Sequence, residues 1–248
     1  MRTQIFARST NLIALDISDI CLKREIFDDP QVLAIAYHLL EKLMIRPCIV
    51  DYLVGTVFPF FKFPALKSLT IIPEDVQWGP WEFFSDFMTF VQRSSFSLTT
   101  LIIQGLNLPD SSMVLFLAHV PTLLDFTLVD TNAPPEGSPI TEGLIKSLHA
   151  YQYRNSSLRL LDEPLLPRLR SLKLTHNGEV FNDQAVVDMI KSRWTSDFIL
   201  NKEVDCLWSF TRTYRCRKKV LCAYDVLDHI EKDGMRLVIL WKDDPGTK

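Results

Sequence analysis

Leu166-Pro167-Arg168-Leu169-Arg170-Ser171-Leu172-Lys173-Leu174 carries the pattern that decides the fold. Leu169, Leu172 and Leu174 have the spacing L-x-x-L-x-L of a leucine-rich repeat, and a proline stands two residues ahead of the first anchor. The same spacing recurs at Leu12/Leu15/Ile17, Leu40/Leu43/Ile45, Leu66/Leu69/Ile71, Leu98/Leu101/Ile103 and Leu123/Phe126/Leu128. Leu207/Phe210/Arg212 repeats it in a looser form. One triplet alone says nothing, because in a chain that is 47% hydrophobic three fixed positions are all apolar about one time in ten by chance.

The surroundings carry the reading. Pro-x-Leu precedes the triplet in Phe63-Pro64-Ala65-Leu66, Val120-Pro121-Thr122-Leu123 and Leu166-Pro167-Arg168-Leu169. Proline biases the residue before it away from helix, so it closes one segment and lets an extended one begin. First anchors stand 28, 26, 32, 25, 46 and 38 residues apart. The short intervals fit a repeat of roughly 20–29 residues and the long ones call for insertions. The longest interval holds Asn155-Ser156-Ser157 and Asp162-Glu163-Pro164, which read as loop.

Between triplets the spacing turns helical. Trp81, Phe84, Phe87, Met88 and Val91 recur on one helical face, as do Met113, Phe116, Leu117 and Val120. Asp183 to Trp194 carries Val186, Val187, Met189 and Ile190, with Asn182 or Asp183 placed to cap its start. Asp225 to Asp233 ends at Gly234, a helix stop. The fold class read from these units is α/β: a leucine-rich-repeat solenoid, or horseshoe, with a parallel sheet on its concave face and helices on its convex face. Residues 1–194 form the degenerate repeats. Residues 195–248 form an irregular last repeat, with Met235 to Trp241 as a capping strand.

Strand residues alternate between core and surface. With the leucines inward, the concave face presents Ala14, Asp16 and Ser18, then Lys42, Met44 and Arg46, then Ser68, Thr70 and Ile72. Thr100, Ile102 and Gln104 follow, then Asp125, Thr127 and Val129, then Ser171, Lys173 and Thr175. This row mixes polarities and shows no single-sign field. The residues expected to bind a partner are Asp16, Met44, Arg46, Thr70, Gln104, Thr127, Lys173 and Thr175.

The run Glu163 to Leu174, followed by Phe181-Asn182-Asp183-Gln184 and Val187-Asp188-Met189-Ile190-Lys191-Ser192-Arg193-Trp194, resembles the C-terminal repeats of fungal F-box/leucine-rich-repeat proteins, those of mushroom-forming (basidiomycete) fungi most closely. Leu98-Thr99-Thr100-Leu101 with Val120-Pro121-Thr122-Leu123 is similar to that family's middle repeats, and the likeness spans most of residues 12–194. It implies substrate-binding repeats of a subunit that docks on an adaptor of a cullin-type ubiquitin ligase through an N-terminal F-box. No Leu-Pro-x-Glu-hydrophobic signature stands near the start. The chain therefore reads as a fragment, a truncated product or a relative without the F-box. A ligase adaptor is expected as partner only if an F-box lies upstream, and the alternative is a stand-alone scaffold.

Composition and motifs bound the rest. A net charge of −3 gives no global argument for a nucleic acid or membrane partner. Met1 to Thr10 does not read as a signal peptide, and five irregularly spaced cysteines suit a reducing, cytoplasmic or nuclear compartment. There is no G-x-x-x-x-G-K-[ST], G-x-G-x-x-G, H-E-x-x-H or G-x-S-x-G, so no enzyme activity, cofactor or metal is expected. His38 and His119 read as structural histidines within helical segments. The basic run Arg212 to Lys219, with Tyr214 interleaved, reads as a solvated loop, and a zinc site at Cys206, Cys216 and Cys222 lacks a fourth ligand. Trp78, Trp81, Phe83, Phe84 and Phe87 read mostly as helix-to-sheet core.

Overall fold

The computed structural model describes residues 11–18, 35–46, 58, 61–72, 84–130, 138–150, 164–177, 181–194, 204–215 and 223–242. The chain is an α/β protein built on one parallel sheet of eight strands. They are β1 (Ala14–Ser18), β3 (Lys42–Arg46), β5 (Ser68–Ile71), β6 (Thr100–Gln104), β7 (Asp125–Asp130), β8 (Ser171–Asn177), β9 (Ser209–Arg215) and β10 (Arg236–Lys242), in that spatial order. Two short strands, β2 (Ile35–Ala36) and β4 (Phe61–Lys62), pair in parallel outside it. Each main strand is thus followed in space by the next one in sequence, and every pairing is parallel.

The register aligns the triplets. Leu15, Leu43, Leu69, Leu101, Phe126, Leu172, Phe210 and Leu237 are Cα partners from strand to strand. Ile17, Ile45, Ile71, Ile103, Leu128, Leu174, Arg212 and Ile239 form the second rung. The first anchors Leu40, Leu66, Leu98, Leu123, Leu169 and Leu207 are fully buried just ahead of their strands. Each fully buried leucine contributes about 1.5–3 kcal/mol by leaving water. Parallel strands need a crossover between them, and the apolar side of the sheet is where those crossovers pack.

The Pro-x-Leu punctuation has a mechanism. Leu66, Leu123 and Leu169 donate their backbone N–H to Phe63, Val120 and Leu166 respectively, at 3.2, 3.1 and 3.1 Å. Each proline therefore occupies the second position of a hydrogen-bonded turn, where its fixed φ fits. Strand starts repeat a second device. The carbonyls of Ile13, Glu41, Lys67, Thr99, Leu124 and Arg170 each accept two consecutive N–H groups of the next strand segment.

Five α-helices lie among the described residues: α1 (Phe84–Ser94), α2 (Asp110–Ala118), α3 (Glu142–Ser147), α4 (Asp183–Trp194) and α5 (Asp228–Lys232). Asn182 caps α4, its side-chain oxygen accepting from the Ala185 N–H at 3.3 Å. Gly234 follows α5 with φ of +109°, the left-handed stop that glycine tolerates. The buried faces of α1 to α4 join the strand ladder in one core cluster, in which Phe58 and Phe90 stack at 4.5 Å and Phe87 meets Phe116 edge-on at 4.9 Å. Phe87 is core as expected, while Trp78, Trp81 and Phe83 lie outside the described residues.

Two expectations are corrected. His38 sits in a turn between β2 and β3 and is exposed; no helix forms there, because the chain enters β3 directly at Lys42. Of the run Arg212 to Lys219, residues 212–215 are strand, not solvated loop, since β9 pairs on both sides with β8 and β10, and residues 216–219 lie outside the described residues. Ladder pairing of the backbone overrides the local polarity of the run.

Candidate functional site

Because leucine-type residues turn toward the helices, the alternate residues occupy the opposite, open side of the sheet. The eight residues singled out from the sequence all stand there. Asp16 and Arg46 are exposed and form an ion pair at 2.5 Å on diagonal positions of β1 and β3. Such an exposed pair is worth at most about 1 kcal/mol and fixes orientation more than stability. Met44, Gln104 and Thr127 are half-buried and Lys173 is exposed. Thr70 and Thr175 are only 5% and 6% exposed. The eight share one side of the sheet from β1 to β8, with Thr70 and Thr175 buried, and form no convergent cluster.

The reading of mixed polarity stopped at β8, and two further strands extend the face. On β9 the outward residues are Ser209, Thr211, Thr213 and Arg215, and on β10 Arg236, Val238, Leu240 and Lys242. Their inward neighbours Phe210, Arg212 and Tyr214 are fully buried, which fixes the alternation. Irregular spacing before Ser209 concealed these positions. Their one sequence signal was the alternation of Met235 to Trp241.

A second feature missed by sequence reading lies on the helix side, at the ends of β7 to β10. Arg212 takes an inward ladder position between Leu174 and Ile239 and is 0% exposed. Its guanidinium lies 4.0 Å over the Phe181 ring and 4.8 Å over the Tyr214 ring, a cation held by aromatic faces. None of its three side-chain nitrogens has a hydrogen-bond partner. Beside it, Tyr214 Oη donates to Asp183 Oδ1 at 2.5 Å and Tyr224 Oη donates to the same oxygen at 2.9 Å. The two phenol oxygens also touch one another. Burial lowers the Arg212 pKa, opposed by Tyr214, Tyr224 and Asp183, and burial raises both phenols. One rung along, His176 Nδ1 lies 3.7 Å from Asp130 Oδ2, both residues buried. This network ties β9, α4 and the segment before α5 together.

Two structural arginines recur at helix ends. Arg93, at the end of α1, donates to the carbonyl oxygens of Phe58 and Phe61, the latter at 2.8 Å. Arg193, at the end of α4, donates to Leu148, Leu166 and Leu165 at 2.5, 3.1 and 2.5 Å. Burial brings the Arg193 pKa down to about 10. Ser94 and Ser192 accept the N–H of Phe63 and Ala150 at the same places.

Among the described residues no group of three or more His, Cys, Asp or Glu side chains could hold a metal ion. Cys206 is a free thiol whose pKa is raised by burial and then by Asp205, while Cys216 and Cys222 lie outside the described residues. No described helix is long and apolar enough to cross a membrane. No family model matches the chain, and no curated protein or solved structure matches it.

Proposed function

We propose that the chain is a leucine-rich-repeat solenoid that recognises another protein through the open face of its sheet. The observation that carries this reading is the in-register ladder. Eight parallel strands in sequence order turn their leucine-type residues into the core shared with the described helices and set the alternate residues in a regular array on the other face, spaced ~4.8 Å between strands. A pre-ordered array of this kind binds with little loss of conformational freedom. The resemblance to fungal F-box repeats adds the role of substrate receptor for a cullin-type ubiquitin ligase. The alternative is a scaffold that binds the same partner without recruiting a ligase.

Affinity capture from cells with surface variants tests both levels. Asp16→Lys, Gln104→Arg and Lys173→Glu together alter the open face, whereas Leu115→Glu and Lys146→Glu alter the helix side. Captured proteins are expected to be lost with the first set and kept with the second, at unchanged melting temperature. The reverse pattern would remove the recognition reading. Recovery of a ligase adaptor supports the receptor role, and partner capture without one leaves the scaffold.

A further inference from the structure

The open face is not electrically uniform. Its outward positions on β1 to β7 include Asp16, Lys42, Arg46 and Asp125, two of each sign. On β8 to β10 the outward charges are Lys173, Arg215, Arg236 and Lys242, all cationic. Lys173, Arg236 and Lys242 are exposed and Arg215 is half-exposed. Elsewhere along the strands and their starts, Arg46 meets Asp16, Lys67 meets Glu41, and both Arg168 and Arg170 meet Asp205. Among the described residues none of the four outward cations of β8 to β10 is in an ion pair. Arg215 and Lys242 are direct Cα partners. Like charges opposite one another on adjacent strands destabilise a sheet, so folding alone gives no reason for them.

We propose that the outward face of β8, β9 and β10 is the docking subsite for an extended acidic segment of a protein partner, its carboxylates flanking an aliphatic side chain. This rests on the recognition reading above and specifies what is recognised. Register gives the layout. Arg236 stands at the strand starts, Lys173 one outward row further on, and Arg215 with Lys242 at the far end. Between them lies a plateau that includes Thr211, Val238 and Leu240, with Leu240 42% exposed and Thr213 buried beneath it at 5%. Cations around an uncharged, partly aliphatic centre match a segment with acidic ends and an apolar middle. The positive field is local, because the whole chain carries a net charge of −3. A nucleic acid fits less well, since no outward residue of these strands is aromatic and bases would find nothing to stack on.

The probe is a fluorescein-labelled, Glu-rich peptide with a central leucine. A length of about eight residues, at ~3.3 Å each, spans the subsite. Its controls are the same peptide with Gln for Glu, and single-stranded oligo(dT). Fluorescence anisotropy is expected to show binding of the Glu peptide that weakens as salt rises, and binding of the Gln peptide weaker by roughly tenfold or more. Lys173→Glu, Arg215→Glu, Arg236→Glu and Lys242→Glu combined are expected to abolish it. If that protein does not fold, the exposed single changes Lys173→Glu and Arg236→Glu provide the same reading. Asp243 and Asp244 follow Lys242 and lie outside the described residues. Asp243→Asn with Asp244→Asn is expected to bind the probe at least as well as the parent, and weaker binding there would contradict the proposal. Equal binding of the Gln peptide, indifference to charge reversal, or tighter binding of oligo(dT) would overturn it. If cellular partners still depend on the Asp16, Gln104 and Lys173 set while the Glu peptide ignores β8 to β10, only the acidic subsite falls. If neither dependence is found, both readings fall.

Discussion

Arg193 and Arg212 are equally buried and oppositely provided for. Arg193 donates to three backbone carbonyls, of which that of Leu166 also accepts from Leu169 N–H, whereas the Arg212 guanidinium lies against the Phe181 and Tyr214 rings and its nitrogens have no hydrogen-bond partner. Removing the first takes the Arg193 donor from the Leu148 and Leu165 carbonyls and leaves that of Leu166 only the Leu169 N–H; removing the second removes a buried charge without hydrogen bonds. Arg193→Ala is therefore expected to cost about 3–5 kcal/mol in urea unfolding. Arg212→Leu restores the apolar triplet and is expected to leave stability within about 1 kcal/mol or raise it. Asp183 keeps two phenol donors and its place in the first turn of α4 in that variant. A loss of several kcal/mol in Arg212→Leu would contradict this account of the network. None of this was legible in the sequence. An arginine within a basic run carries no mark of burial, and although Tyr214 shares its strand, Phe181 comes from a separate segment. The leucine anchors were legible, because a periodic apolar residue has one place to go.

At the scale of elements, what could be read was punctuation. Pro64, Pro121 and Pro167 each mark a turn, since proline fixes φ and lacks a donor whatever the tertiary context. Helices α1, α2, α4 and α5 were legible by spacing, and Asn182 by its side-chain chemistry, whereas α3 was not. Strand β9 was legible only as the loose triplet Leu207/Phe210/Arg212, and its extent to Arg215 was not, because Arg212 and Arg215 break the apolar signal that neighbours in the sheet then override. The junction of α2 and α3 was also invisible. Thr141 caps α3 by accepting from Leu144 N–H at 3.1 Å, and its hydroxyl donates to Asp110 at 2.6 Å. A methyl group on Gly143 would stand 2.7 Å from that carboxylate. Gly143→Ala is therefore expected to destabilise by about 1–2 kcal/mol. The cost should shrink in an Asp110→Ala background. Equal costs in the two backgrounds, from a double-mutant cycle, would show that the contact with Asp110 is not the cause.

At the scale of the whole molecule, the described strands of the main sheet form one ladder with β1 and β10 at its two ends. The order of its strands was readable, because each interval between first leucines equals the offset in the observed register from Leu15 to Phe210. The charge asymmetry of the open face was not readable, since it emerges only when β9 and β10 join the array. Everything functional proposed for this chain depends on outward residues of successive strands lying side by side. Spin labels at Lys42 paired with Ser171, and at Lys42 paired with Arg236, measure that directly by pulsed dipolar spectroscopy. Four and six strand steps at ~4.8 Å give backbone separations of roughly 19 and 29 Å along the array, somewhat less if the sheet curves. Distances that grow with strand number in this way are the expected result. A Lys42–Arg236 distance equal to or shorter than the Lys42–Ser171 distance would contradict the ladder, and with it the recognition face.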